Sequence, residues 1–319
     1  MTYYFQAKQL CVGYQNQPLI QNIEIELKKG EILTLIGPNG AGKSTILKSI
    51  ARQLELLGGS VLLEDKNLQS LSGRELAKKM AVVFTKRPHT ELMTCEDVVA
   101  TGRYPYTGRF GVLSAKDHEA VQEAMEAVHV LEFRDRDFAK ISDGQRQRVM
   151  LARAICQEPK ILILDEPTVG LDPRQIREFR DLLSELSHEH TIILSSHILS
   201  EISSVCKRIL VFYEGMLIAD GEPQSLQEQL AGHRVLEVEI SGEEAGVSAL
   251  LQGIPDVLAV KPVGNGVYQV AHRMGTDIRG ALYRTLRPTG YELLMMKPEE
   301  VSLESLYLRI TEHEQEMEA

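Results

Sequence analysis

GPNGAGKST, residues 37–45, satisfies G-x-x-x-x-G-K-[ST] at Gly37, Gly42, Lys43 and Ser44. It follows the apolar run ILTLI and opens the helical pattern TILKSIARQLE, which is the context this motif needs. Through Gly37, Pro38, Asn39, Gly40, Ala41 and Gly42 the chain can bend so that backbone N–H groups converge on phosphate oxygens. Lys43, Ser44 and Thr45 then sit at a helix N-terminus, whose partial positive charge favours an anion. Lys43 is placed to reach the terminal phosphates, and the Ser44 hydroxyl to meet Mg²⁺.

Two further segments complete a nucleotide site. ILILDEP, residues 161–167, reads as a buried strand that delivers Asp165 at its end. A carboxylate there can hold Mg²⁺, and the adjacent Glu166 can orient or deprotonate a water attacking the γ-phosphate. ISDGQRQRVMLARAI, residues 141–155, places Ser142, Gly144 and Gln145 before a helix with Val149, Ala152 and Ile155 in its stripe. A small-residue turn at a helix N-terminus is a second anion site.

Outward from these motifs, short apolar runs alternate with amphipathic helices. NIEIEL puts Ile23, Ile25 and Leu27 on one face of a strand, and MAVVF, ILILD, TIILSSH and RILVFY read as buried strands. SAKDHEAVQEAMEAVHVL opens on a capping-box pattern, Ser114 then Asp117, and repeats Val121, Ala124, Met125 and Val128. RQIREFRDLLSELS carries Ile176, Phe179, Leu183 and Leu186. This alternation predicts an α/β fold with a mainly parallel core sheet. YEGMLIADG reads as a closing hairpin turning near Gly215, and GEPQSLQEQLAG ends the first domain, residues 1–230. Residues 233–319 read as strand, helix, two strands joined near Gly264 to Gly266, helix, strand (YELLMMK) and a last helix, SLESLYLRITEH. That order predicts a small α+β, ferredoxin-like accessory domain.

Composition bounds the function. With 43% hydrophobic and 25% charged residues, the 319-residue chain has an ordinary globular composition, with room for two domains. A formal charge of −10 argues against nucleic acid as a partner. Part of that charge lies in EHEQEMEA, which reads as a solvated end. Cys11, Cys95, Cys156 and Cys206 are far apart and form no CxxC or Cys/His cluster, so free thiols in a reducing cytosol are expected. MTYYFQAKQL shows no basic segment followed by an apolar core, and no run approaches the ~18 apolar residues of a spanning helix. Work at a membrane would go through a partner.

The order GPNGAGKST, ISDGQRQR, ILILDEPTVGLD, ILSSH resembles the nucleotide-binding domain of ATP-binding cassette (ABC) transporters over roughly residues 3–225. The resemblance implies a P-loop NTPase cassette with an antiparallel β subdomain and a helical subdomain at about residues 86–160. It also implies Mg-ATP as cofactor, a head-to-tail dimer of this chain and integral membrane permease subunits as partners. The turn at Ser142, Gly144 and Gln145 of one copy would cap the γ-phosphate held by the other. In ISDGQ, Asp143 replaces a glycine of the usual form. Tyr14 sits where the family stacks an aromatic on adenine, VGLD ending at Asp172 matches the loop that touches the opposite site, and His197 matches the γ-phosphate histidine. After MAVVF, Thr85 stands where the family usually has glutamine. Its shorter hydroxyl can still accept a metal-bound water.

The direction of transport is read differently by the two halves. EDVVATGRYPYTG, residues 96–108, resembles cassettes of importers for iron–siderophore, haem and cobalamin, and lies where the family's permease docks. SSHILSEISSVCKRILVFYEGMLIADG and the accessory domain resemble drug, antibiotic or gliding-type exporters. The permease-facing segment carries more weight, because an appendage can be gained without changing the docking surface. The expectation is thus a peripheral subunit at the cytoplasmic face of a prokaryotic membrane, driving chelate import with an extracytoplasmic binding protein. Export is the alternative. A non-transport ABC role ranks last, because the chain has one cassette and no sustained heptads.

Overall fold

The structure, a computed structural model, describes residues 3–85, 92–198, 204–223, 225–226, 233–273 and 275–299. The chain divides into two compact units, Met1–Glu222 and Pro223–Ala319.

In the first unit, β1 (Phe5–Tyr14), β2 (Gln17–Leu27), β4 (Gly58–Leu63) and β5 (Lys66–Asn67) form an antiparallel sheet in the order β2-β1-β4-β5. Ile23, Ile25 and Leu27 are all buried, as the alternation in NIEIEL requires. The central sheet runs β10-β9-β3-β8-β7-β6, built from β3 (Ile32–Ile36), β6 (Met80–Val83), β7 (Ile161–Asp165), β8 (Thr191–Ser196), β9 (Arg208–Tyr213) and β10 (Met216–Gly221). Its pairs are parallel except for the β9–β10 hairpin, which turns at Glu214 and Gly215. Every residue of β3, β7 and β8 is buried, which is why these runs read as continuously apolar.

α1 (Lys43–Ile50) leaves β3 through the glycine-rich loop. It stops at Ile50, short of the TILKSIARQLE pattern: Arg52 turns to φ +58 and donates to the Leu68 and Leu71 carbonyls. α2 (Gly73–Ala77) precedes β6. α3 (Cys95–Ala100), α4 (Ala115–Ala127) and α5 (Asp143–Ile155) pack on one another. Ser114 caps α4 and closes a capping box with Asp117, and Val121, Ala124, Met125 and Val128 are buried. α6 (Pro173–Leu186) buries Phe179, Leu183 and Leu186 and adds Leu182, while Ile176, like Ile155 of α5, stays half-buried.

Arg103 anchors the α3–α4 connection. It is 2% exposed, donates through Nε to Asp117 Oδ1 (2.9 Å) and through Nη1 to the Cys156 carbonyl (2.8 Å), and lies over the Tyr106 ring. Gly102 beside it admits no side chain, since a Cβ would stand 2.2 Å from the Arg153 carbonyl oxygen. The stretch GRYPYTG is thus folded against α5 while Tyr104, Phe110 and Val112 remain exposed.

The second unit contains β11 (His233–Ile240), α7 (Glu244–Gln252), β12 (Val257–Gly264), β13 (Val267–Arg273), α8 (Arg279–Leu286) and β14 (Leu293–Glu299). Its antiparallel sheet has the order β12-β13-β11-β14. Leu236, Val238, Ile240, Tyr268 and Val270 of the sheet, Val247 and Leu251 of α7, and Leu282 and Leu286 of α8 close a separate core. SLESLYLRITEH and EHEQEMEA lie outside the described residues.

Candidate active site

β3, β8, β7 and β6 are consecutive neighbours, and the site forms where their carboxyl ends meet. Gly37–Gly42 follows β3, His197 follows β8, Asp165 and Glu166 close β7, and Thr85 follows β6. Residues distant in sequence are therefore delivered to one edge by a parallel sheet.

The loop is shaped by what its glycines exclude. Gly40 and Gly42 adopt φ +92 and +94, and a Cβ on Gly37 would lie 2.4 Å from the Phe212 carbonyl oxygen. Gly37, Ala41, Gly42, Lys43 and Thr45 are buried, Pro38 and Ser44 partly so, and Asn39 and Gly40 exposed. Lys43 is 4% exposed, and its Nζ donates to the carbonyls of Gly37 (2.7 Å) and Pro38 (3.0 Å). Nζ also stands 3.2 Å from Glu166 Oε1, while Glu166 Oε2 lies 2.6 Å from His197 Nδ1. One carboxylate thus joins the buried ammonium to the exposed imidazole.

Ser44 Oγ donates to Asp165 Oδ1 at 2.8 Å. The same Oδ1 accepts from Ser195 Oγ (2.8 Å), and that hydroxyl in turn accepts the Glu166 N–H (2.9 Å). The Thr85 hydroxyl donates to the Asp165 main-chain carbonyl at 3.0 Å. Tyr14 is half exposed, with its hydroxyl 3.1 Å from Thr45 Oγ1 at the start of α1. Ser195 lies inside ILSSH, a motif in which the resemblance gives a role to His197 alone. The available signal is a hydroxyl residue inside TIILSS, a strand buried at every position.

Ser142, Gly144, Gln145 and Asp172 form a second cluster. Ser142 caps α5 in a capping box with Gln145, and Asp172 caps α6 in one with Gln175. The two helix starts touch, because a Cβ on Gly144 would lie 2.9 Å from the Gln175 side-chain amide. Arg148 pairs with Glu178 across the same junction. A cavity of about 220 Å³ opens there, lined by residues including Ser142, Gly144, Gln145, Gln175 and Glu178, and none of Gly37–Thr45. The first cluster can hold phosphates and activate water, and the second offers two helix N-termini.

This fold and site define a P-loop nucleoside triphosphatase. The family described as ABC transporter matches residues 20–169. An uncharacterized ABC transporter ATP-binding protein of Methanocaldococcus jannaschii is 41% identical over 225 residues, 70% of this chain and 78% of that one. A probable siderophore transport system ATP-binding protein of Bacillus subtilis is 36% identical over 219 residues, 68% of this chain and 80% of its own. The solved structure of cbiO1 from Clostridium perfringens, part of the ABC transporter complex cbiONQ, superposes with a TM-score of 0.63. It is 27% identical, and the match covers 72% of this chain and 94% of that one. The chain belongs to the ATP-binding proteins of ABC transporters. It is the ATP-hydrolysing subunit of such a transporter, a family whose cassettes work with membrane permease subunits.

Proposed function

We propose that this chain powers import of an iron–siderophore, haem or cobalamin-type metal chelate through a separate permease, at the cytoplasmic face of a prokaryotic membrane. The observation that carries this reading is the segment EDVVATGRYPYTG. It lies within residues 20–169, which the ABC transporter family matches, and presents Tyr104 to solvent on an anchored frame, with Phe110 and Val112 exposed just beyond it. Exposed apolar side chains held on a rigid base suit the docking of a partner. No helix among the described residues is long and apolar enough to cross a membrane, so the reading gives the spanning role to the permease. An extracytoplasmic binding protein delivers the chelate.

Two copies bind Mg-ATP head to tail. Gly37–Thr45 of one copy and the Ser142, Gly144 and Gln145 turn of the other enclose the phosphates, with Asp172 facing the opposite site and Tyr14 stacking on adenine. Support for a two-copy site comes from the cavity at the Ser142 turn, whose lining includes none of Gly37–Thr45. Ser44 and Asp165 form an oxygen pair suited to Mg²⁺, which takes few carboxylates alongside substrate phosphates. The metal supplies charge neutralisation at the phosphates. Glu166 orients the water for in-line attack, Lys43 leaves the Gly37 and Pro38 carbonyls for the phosphates, and His197 contacts the γ-phosphate. Residues 233–319 act as a ferredoxin-like accessory domain that stabilises the dimer or regulates it.

The test is to purify the protein from mildly solubilised native membranes and identify the co-purifying membrane subunit by mass spectrometry. A many-spanning permease with a substrate-binding lipoprotein nearby supports chelate import. A six-helix exporter-type subunit overturns it.

A further inference from the structure

We propose that Thr85 and Ser195 are paired positioning residues that clamp the peptide plane joining Asp165 to Glu166. The proposal rests on the assignment of Glu166 as the water-orienting carboxylate. The peptide unit has one acceptor, the Asp165 carbonyl, and one donor, the Glu166 N–H. Thr85 Oγ1 donates to the first at 3.0 Å, and Ser195 Oγ accepts from the second at 2.9 Å. The two hydroxyls arrive from opposite sides, since β7 lies between β6, which leads to Thr85, and β8, which carries Ser195. On the β6 side a side chain takes the place of ladder bonds, because the β6–β7 register ends at Val83 with Leu164, whereas β7 and β8 are still paired at Asp165 and Ser195.

Three observations show that this plane needs holding. Glu166 has φ +49, a left-handed conformation that carries strain for a residue with a Cβ. Ser195 is fully buried, so loss of its hydroxyl leaves the Glu166 N–H without this partner. The Ser195 hydroxyl also donates to Asp165 Oδ1, so one group fixes the Asp165 side chain and the Glu166 main chain together. Rotation of this plane would carry the Glu166 carboxylate away from Lys43 and His197, which its two oxygens now meet. The structure thus gives the Thr85 hydroxyl, at the family's glutamine position, a backbone to hold.

The experiment uses full-length Thr85→Val, Thr85→Ser, Ser195→Ala and the Thr85→Val/Ser195→Ala double variant. For each, Mg-ATPase kcat and KM, the Kd of a fluorescent ATP analogue and the Tm are measured. Thr85→Val and Ser195→Ala should each lower kcat about tenfold, with KM and Kd within about twofold of the parent. Thr85→Ser, which keeps the hydroxyl, should restore kcat. The double variant should lose less than the product of the single losses, because both act on one peptide. The clamp is overturned if both single variants keep the parent kcat, if Thr85→Ser is as impaired as Thr85→Val, or if the losses multiply. Should Ser195→Ala fail to fold, the exposed Thr85 still decides through its Val and Ser variants. Glu166→Gln is run alongside. Full activity there sinks the Glu166 assignment itself, whereas an inactive Glu166→Gln with unimpaired Thr85→Val and Ser195→Ala sinks only the clamp.

Discussion

Glu166 stands between Lys43 and His197, one oxygen 3.2 Å from the ammonium and the other 2.6 Å from the imidazole. Replacing the carboxylate by an amide of the same shape keeps the geometry but removes the base. Glu166→Gln should bind ATP, dimerise in its presence and turn over at least about 100-fold more slowly, the range expected for loss of a positioned general base. Phosphate release and size-exclusion chromatography with ATP read both properties. Wild-type turnover would falsify the role.

Lys43 is a buried cation satisfied by two loop carbonyls and one carboxylate. Phosphates offer it stronger, charge-assisted partners. Lys43→Ala therefore removes attraction for the phosphates and leaves the Gly37 and Pro38 carbonyls aimed at anionic oxygens. Titration of a fluorescent ATP analogue should show affinity falling at least about tenfold, or roughly 1.4 kcal/mol. Unchanged affinity would mean that the cradle binds no nucleotide.

Much of this site is legible in the sequence because its chemistry is local. Nine consecutive residues specify the loop, and an apolar strand announces Asp165 and Glu166. Buried strands alternating with capped helices announce the sheet, since burial on both faces removes the alternation a two-sided strand would show. What escapes is what depends on strand order. Ser195 and Thr85 flank one peptide only because β8 and β6 both neighbour β7, and no spacing along the chain encodes that adjacency. Arg103 escapes differently. An arginine in a turn-rich segment reads as solvated, yet Asp117, the Cys156 carbonyl and the Tyr106 ring together satisfy it in the interior. The end of α1 is missed because Arg52 finds better partners at Leu68 and Leu71 than another turn of helix offers.

Asp117, held by Ser114 and by Arg103, should contribute to the acid stability of the helical subdomain. Hydrogen bonds from Ser114, with the Arg103 guanidinium, hold the Asp117 carboxyl at about 2, below its ordinary 3.8. A depressed carboxyl contributes stability that is complete above about pH 4 and lost as pH falls towards 2. Asp117→Asn should therefore flatten the fall in urea midpoint between pH 4 and 2. Arg103→Ala leaves a buried carboxylate without its cation and should cost about 3 kcal/mol at pH 7, read by urea unfolding. Equal midpoints for parent and variant would show that the pair contributes nothing to stability.

The thiols give a check on burial that does not depend on nucleotide. Burial pushes Cys156 and Cys206 up to about 12, so both stay protonated at neutral pH, and Cys95 is raised for the same first reason. Thiolate is the reactive form. At pH 8 a maleimide should label Cys11, which is only half-buried, and reach the other three only in denaturant. Rapid native labelling of Cys156 would contradict the packing of α5 beneath Arg103.

Residues 233–319 belong to the second unit. They own a core closed by Leu236, Val238, Tyr268, Val270 and Leu282, and the described residues include no cluster of acidic, histidine or cysteine side chains able to hold a metal. A domain with a core of its own can act on the first unit through association. Deleting residues 233–319 should leave ATP-analogue affinity within about twofold, because every residue of the phosphate cluster lies before position 198. In the Glu166→Gln background the same deletion should weaken the ATP-driven dimer by at least about tenfold, or roughly 1.4 kcal/mol. Sedimentation with saturating ATP separates the two effects. If dimer affinity, ATPase rate and transport all stay unchanged, the accessory domain neither stabilises nor regulates the cassette.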